Sequence, residues 1–205
     1  MENTFLDTLT QEWGETRPAI VMISGHAGVG KTTFAQLLGE VVKEDNPDMI
    51  IMTMPIALGV KSVASTMGWD GQKDVAGRRL LQSVGQVGRA YNPDVWIAKA
   101  WKGIEDTNYH FQGRLKYAFI DDWRFKNEVT FIKEHNNLAR RIYTVRIVAP
   151  SREILAGTPE ALDISEVELD DYEDFDILID NEGSLETLKM SARLVVNNVF
   201  EKTEV

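Results

Sequence analysis

Apolar and polar positions follow two rhythms along this chain. Short, unbroken apolar runs occur at AIVMIS (19–24), MIIMTM (49–54), LKYAFID (115–121), RIYTVRIV (141–148) and DILI (176–179). Runs of that length are the mark of strands buried on both faces. Between them the spacing becomes helical. In TFAQLLGEVVKED (33–45), Phe34, Leu37, Leu38, Val41 and Val42 fall on one face. In DVAGRRLLQSVGQVGRAYN (74–92), Leu80, Leu81, Val84 and Val87 gather on one side, and Arg78, Gln82, Gly85 and Arg89 on the other, flanked by Arg79 and Gln86. NPDVW (92–96) reads as the start of a further helix, with Asn92 as N-cap, Pro93 at the first helical position and Asp94 in the first turn. Strands alternating with helices predict a parallel sheet covered on both faces. Ligands then bind beyond the carboxyl ends of the strands, which places Ser24, Asp121 and Asp122 on one rim.

Composition narrows the picture. At 205 residues and 43% hydrophobic, without repeats or low-complexity linkers, the chain is expected to form one domain. It has no cysteine, so thiolate metal sites and cysteine nucleophiles are excluded. The N-terminal stretch MENTFLDTLTQEWGETRP lacks the layout of a secretory signal, and no apolar run approaches the roughly 20 residues of a membrane span. The expectation is a cytoplasmic protein with no membrane partner. A formal charge of -10 argues against binding a nucleic-acid polymer, which needs a basic footprint. Much of the acid lies in EVELDDYEDFD (166–176), which reads as a solvated loop.

The first chemical signal is GHAGVGKTT (25–33). Gly25, Gly30, Lys31 and Thr32 satisfy G-x-x-x-x-G-K-[ST], and the loop sits between an apolar strand and an amphipathic helix, as a phosphate cradle requires. Backbone N–H groups of Gly25, Ala27, Gly28, Val29, Gly30, Lys31, Thr32 and Thr33 and the helix N-terminus suit the phosphates of ATP. Lys31 reaches the same oxygens, and the Thr32 hydroxyl suits Mg²⁺. His26, at a free position of the motif, reads as a tolerated side chain. YAFIDD (117–122) carries a strand into two acids, the pattern that brings a carboxylate to the metal. Arg124, just beyond, can reach a phosphate or pair with one of those acids.

The polar face of 74–92 is the second signal. It holds three arginines, two glutamines, no acid and a glycine in mid-stripe, whereas a plain solvent face more often carries Glu and Lys. Arginine holds phosphate bidentately, glutamine can pair with a base edge, and glycine permits close approach.

Four ordered stations resemble the deoxynucleoside monophosphate kinases of tailed bacteriophages. They are the loop (25–33), RRLLQSVGQ followed by NPDVW (78–96), FIDDWRFKNE (119–128), and a tail from DISE (163–166) to IDNEGSLETL (179–188). The resemblance implies a P-loop NTPase three-layer α/β fold with a mostly parallel central sheet. It implies one domain over 1–205, with an acceptor-binding helical region about 57–106 and a lid-like region about 150–172. It implies transfer of the γ-phosphoryl of ATP, with Mg²⁺, to a deoxynucleoside monophosphate. Arg78, Arg79, Gln82, Gly85, Gln86, Trp96, Asp122 and Arg124 would then line the acceptor site, with Lys31, Arg79 and Asp122 acting on the transferred group and Thr32 and Asp121 on the metal. The family often forms homodimers, although no heptad or exposed apolar helix face here demands one. A viral chain of this kind would work in the host cytoplasm.

Three positions depart from the family pattern. Thr32 stands where Asp is frequent, Asp163-Ile164-Ser165-Glu166 replaces His-x-Ser/Thr-Glu, and Ala149 replaces an arginine that Arg146 or Arg152 would have to supply. Two further readings stay open. A nucleotide-dependent switch or regulatory ATPase shares the loop, although no N/T-K-x-D element of guanine-specific switches is present, and a kinase for another small phosphate acceptor shares both signals.

Overall fold

The computed structural model describes residues 18–135 and 141–200. The N-terminal stretch read above for targeting lies almost wholly outside them. Five strands form one parallel sheet in the order β2-β3-β1-β4-β5. They are β1 (Ala19–Ser24), β2 (Ile50–Thr53), β3 (Leu115–Ile120), β4 (Ile142–Val148) and β5 (Ile177–Asp180). Helices α1 (Lys31–Asp45), α2 (Ala57–Thr66), α3 (Val75–Tyr91), α4 (Val95–His110), α5 (Lys126–Glu134), α6 (Ile164–Val167) and α7 (Leu185–Val195) connect and follow them. This is the three-layer α/β fold with a parallel central sheet that the alternation of runs predicts.

β1 is central and fully buried, which is why its sequence is apolar without alternation. Its side chains point alternately to two cores. Val21 and Ile23 join Phe34 and Leu38 of α1, Ala192 of α7 and Phe200. Ile20 and Met22 join Ile97, Trp101 and Ile104 of α4, Ile132 of α5 and Trp123. Trp101 is therefore a core residue, 5% exposed.

Two boundaries and one helix face depart from the sequence pattern for identifiable reasons. β5 begins one residue late because Asp176 is used as a clasp: its carboxylate accepts from the Thr144 N–H (2.8 Å) and hydroxyl (2.7 Å). α4 begins at Val95, two residues after the expected start. Asn92 accepts from the Asp94 N–H through its side chain (3.0 Å) and from the Val95 N–H through its carbonyl, closing a turn before the helix. On α3, Val87 is 72% exposed, while Gly77, Val84 and Gly85 form the buried face. The helix is rotated relative to its apolar pattern because Gly88 admits Trp96. A Cβ there would lie 2.3 Å from the indole.

Candidate active site

The carboxyl ends of β1 and β3, the loop after β1, α3 and the segment 154–166 enclose a cleft of about 730 Å³. Ala27, Gly28, Gly30, Lys31, Thr32 and Thr33 line one side of it. The loop turns through Gly28 (φ +96°) and Gly30 (φ +99°), where a Cβ would strike the Arg152 carbonyl oxygen at 2.4 Å and the Asn181 amide at 2.6 Å. Asn181 also donates to the Val29 carbonyl (2.8 Å), so β5 pins the loop from below. Gly30 stands at the N-cap of α1 without a side-chain cap, which leaves the first-turn N–H groups available to an anion. Val29 is buried in the core, and the Gly25 carbonyl accepts from Lys31 rather than facing a ligand.

Lys31 Nζ donates to the carbonyls of Gly25 (2.7 Å) and His26 (2.8 Å). Burial, with the nearby Arg124 charge, pulls its pKa down to about 7 against the opposing pull of Glu166, Asp122 and Asp121. A phosphate in the loop would supply the missing counter-charge. The Thr32 hydroxyl donates to Asp121 Oδ2 at 2.6 Å, while Asp121 Oδ1 is buried without a hydrogen-bond partner. An orphaned carboxylate oxygen beside a hydroxyl, at the mouth of a phosphate loop, fits a hard divalent cation. Mg²⁺ is ordinarily held by one or two such groups together with phosphate oxygens, not by a protein cage. Among the described residues no group of three or more acidic or histidine side chains is gathered to hold a metal.

Asp122 takes a different part from its neighbour. Its two oxygens accept from the N–H groups of Ile56 (2.7 Å) and Ala57 (2.9 Å), tying the start of α2 to the end of β3. Burial raises its pKa, opposed by those two backbone bonds. Arg124 donates to the Ser165 carbonyl (2.9 Å) and pairs with Glu166. Glu166 in turn accepts from the Ala27 N–H (2.9 Å), so a carboxylate rests on the phosphate loop.

The opposite wall carries Arg78, Leu81, Gln82, Gly85 and Arg89 from α3. Trp96 supports it: the indole is 7% exposed and donates to the Gly85 carbonyl at 3.0 Å. The stripe that faces the cleft is narrower than the polar face of the helix. Arg79 and Gln86 lie beyond its edge, exposed and outside the lining, and Gln86 reaches the Asp163 carboxylate at 3.4 Å. Arg79, expected in the acceptor site, stands outside this lining because one residue along a helix is about 100° of rotation, enough to leave a stripe this narrow. Neither Arg146, paired with Asp170 at 2.6 Å, nor Arg152, turned to the carbonyls of Glu182 and Gly183, lines the cleft in place of the missing strand-end arginine.

Several lining residues escaped the sequence reading. Lys61 and Lys73 join Arg78 on the wall, and Arg89, already placed on the polar face by its spacing, stacks 4.1 Å over the Phe125 ring. Glu128 lies beneath, 4% exposed, its Oε2 accepting from the N–H groups of Arg124 (2.9 Å) and Phe125 (3.0 Å). Burial raises its pKa to about 8 despite those bonds. A glutamate three residues into α5, reaching back to the residues before it, is half of a capping box, and with Phe125 in place of a capping Ser or Thr no sequence signature announces it. The acids of the run 166–176 are mostly exposed, yet several of them are engaged. Glu166 holds Ala27 and Arg124, Asp170 holds Arg146 and His26, and Asp171 pairs with Lys126. His26 is no idle side chain either: its ring nitrogens lie 2.9 Å from Glu153 and 2.8 Å from Asp170.

No family model matches the chain. Over 108 residues it is 33% identical to an uncharacterized protein, ORF76, of Ictalurid herpesvirus 1 (strain Auburn). That match covers 53% of this chain and 41% of the viral protein, so the chain corresponds to less than half of that relative's length. Among solved structures, it is similar to APE1195 (TM-score 0.48, 13% identity, covering 90% of this chain and 97% of that one). It is also similar to an APS kinase of Mycobacterium tuberculosis (TM-score 0.45, 10% identity, 89% and 99%). Among the described residues no helix is long and apolar enough to cross a membrane.

Proposed function

We propose that this chain is a phosphotransferase that moves the γ-phosphoryl group of ATP, with Mg²⁺, onto a deoxynucleoside monophosphate. The observation that carries the reading is the meeting of two anion-binding walls in one cleft: Lys31, Thr32 and Asp121 on one side, Arg78, Gln82 and Arg89 on the other. A switch or a simple ATPase has use for the first wall only.

In this reading the loop amides and Lys31 hold the β- and γ-phosphates. Thr32 and Asp121 hold Mg²⁺, which supplies charge neutralisation on the phosphate oxygens when bound. An oxygen of the acceptor phosphate forms the new bond to the γ-phosphorus as the bond to the β–γ bridging oxygen breaks, releasing ADP. The second pKa of a phosphate monoester is about 6, so the attacking oxygen is already largely deprotonated at neutral pH and no general base is required. Catalysis then reduces to alignment and to cations near the spreading negative charge. Arg124 serves both needs between the walls, and the segment about 150–172 acts as a lid whose Glu166 yields the loop to the triphosphate. The restriction to deoxyribose comes from the family resemblance.

A coupled ADP-release assay over the ribo- and deoxyribonucleoside monophosphates tests the reading. ATP consumption that rises steeply with one or more deoxynucleoside monophosphates supports it. Consumption indifferent to every acceptor would turn the assignment to a switch or regulatory ATPase.

A further inference from the structure

The wall facing the phosphate loop is more positive than α3 alone makes it. Lys61 of α2, Lys73 of the preceding loop and Arg78 in the first turn of α3 line it together. Lys73 is set there by local construction. The Trp69 indole donates to the Gln72 carbonyl (2.8 Å), and that carbonyl packs on α3 where Gly77 has no side chain; a Cβ at Gly77 would lie 2.0 Å from it. Asp74 then caps α3 by accepting from the Gly77 N–H (2.8 Å). Lys73 is thereby held a short step from Arg78.

What marks the three cations is that they line one wall together and, among the described residues, each lacks a partner of its own. Elsewhere Lys102, Arg124, Lys126, Arg146, Lys189 and Arg193 each meet a carboxylate. Among the described residues Lys61, Lys73 and Arg78 have no ion pair and no side-chain hydrogen bond. In a chain with 32 acidic residues against 22 basic, three cations on one wall with no described acid at salt-bridge distance repel one another unless an anion enters. Burial, and then the charges of Lys61, Arg78 and Arg124, lower the Lys73 pKa against the opposing pull of Asp122. The cluster also belongs to the reacting region: Arg124 and Asp122 act electrostatically on Lys73, and the same two act on Lys31.

We propose that Lys61, Lys73 and Arg78 form one subsite that grips the acceptor's phosphate as a dianionic monoester. This rests on the phosphotransferase reading and deepens it. The subsite selects for a terminal phosphate over an uncharged hydroxyl acceptor, and it leaves Gln82 and Arg89 to the remainder of the acceptor.

Binding to the full chain, followed by calorimetry, tests this with the deoxynucleoside monophosphates, the matching deoxynucleosides and ATP as probes. Lys61→Ala and Lys73→Ala should each weaken monophosphate binding roughly ten- to a hundredfold, the loss of one charge-assisted contact, with a larger loss in the double variant. ATP affinity should stay at the wild-type value, and so should any weak binding of the deoxynucleosides. Lys73→Arg should recover part of the loss, which a variant damaged only in its fold would not do. A double variant that binds monophosphate as wild type does, or that loses ATP in parallel, overturns the subsite and leaves the kinase reading standing. A wild-type protein that binds ATP but no monophosphate overturns both.

Discussion

The two walls of the cleft have solved opposite problems. On the loop side most of the polar side chains already have a protein partner: Lys31 on two carbonyls and Thr32 on Asp121, with the Ala27 N–H on Glu166, while Asp121 Oδ1 and the first-turn N–H groups of α1 are left to a ligand. On the α3 side Lys61, Lys73, Arg78 and Arg89 meet no carboxylate at salt-bridge distance among the described residues. A self-satisfied wall is rigid and correctly shaped before its ligand arrives, but the ligand must displace internal bonds. An unsatisfied wall gains its full contact energy from the ligand and contributes little to holding the fold. Substitutions on the first wall should therefore disturb chemistry and local structure together, and those on the second should disturb acceptor binding alone.

The sharpest break is expected at Lys31. Lys31→Ala removes a cation whose contact strengthens as charge develops on the transferred group, so kcat should fall on the order of 10²-fold or more. The alanine also leaves the Gly25 and His26 carbonyls without their donor, so a modest drop in Tm should accompany it. Near-normal turnover in steady-state assays would remove the loop from the reaction. The adjacent acids divide next. Asp121→Asn should lower activity roughly ten- to a hundredfold and raise the Mg²⁺ concentration needed for half-maximal rate, because the oxygen pair beside Thr32 loses its charge. Asp122→Asn should instead lower Tm, since an amide offers one acceptor to two N–H groups, with a cost of about 1–3 kcal/mol. If the melting and Mg²⁺ effects fall the other way round, the metal and the anchoring roles are exchanged.

On the α3 wall the neighbouring arginines separate. Arg78→Ala should raise acceptor KM roughly ten- to a hundredfold with ATP KM unchanged, the loss of one charge-assisted contact. Arg79→Ala, exposed and beyond the lining, should leave both near wild type. Equal effects at the two positions would mean that α3 turns on binding its ligand.

What the sequence made legible was whatever depends on local pattern. β1 lies where its apolar run lies, because a strand buried on both faces has no other way to read. The loop and the stripe Arg78, Gln82, Gly85 follow from spacing within one turn or helix, and the meeting of Thr32 with Asp121 from the rule that ligand groups gather at the carboxyl ends of parallel strands. Illegible features depend on what another element brings. Val87 seemed core until Gly88 let Trp96 set the rotation of α3. The engagements of the acidic run were hidden because its partners, Ala27, His26, Lys126 and Arg146, come from distant parts of the chain. Lys61 and Lys73 carry no motif, and only the docking of Gln72 on Gly77 gathers Lys73 with Arg78.

The smallest effect concerns Glu128, which lies under the α3 wall but makes its bonds within its own helix start. Its pKa rises from an ordinary 4.5 to about 8, mainly through burial. Between those two values the folded chain holds a proton that the unfolded chain has released, so this group's contribution to stability falls as pH rises through that window. Below it, both states are protonated and the contribution is complete. Glu128→Gln keeps an oxygen to accept from the Arg124 and Phe125 N–H groups and cannot ionise. Thermal melts at pH 5, 7 and 9 should then show the glutamine variant gaining on the wild type with each step. Parallel curves would mean that Glu128 is ionised throughout. It would then be a charged partner for Arg89, whose guanidinium lies within its electrostatic reach, and the α3 wall would not be as free of internal partners as the comparison holds.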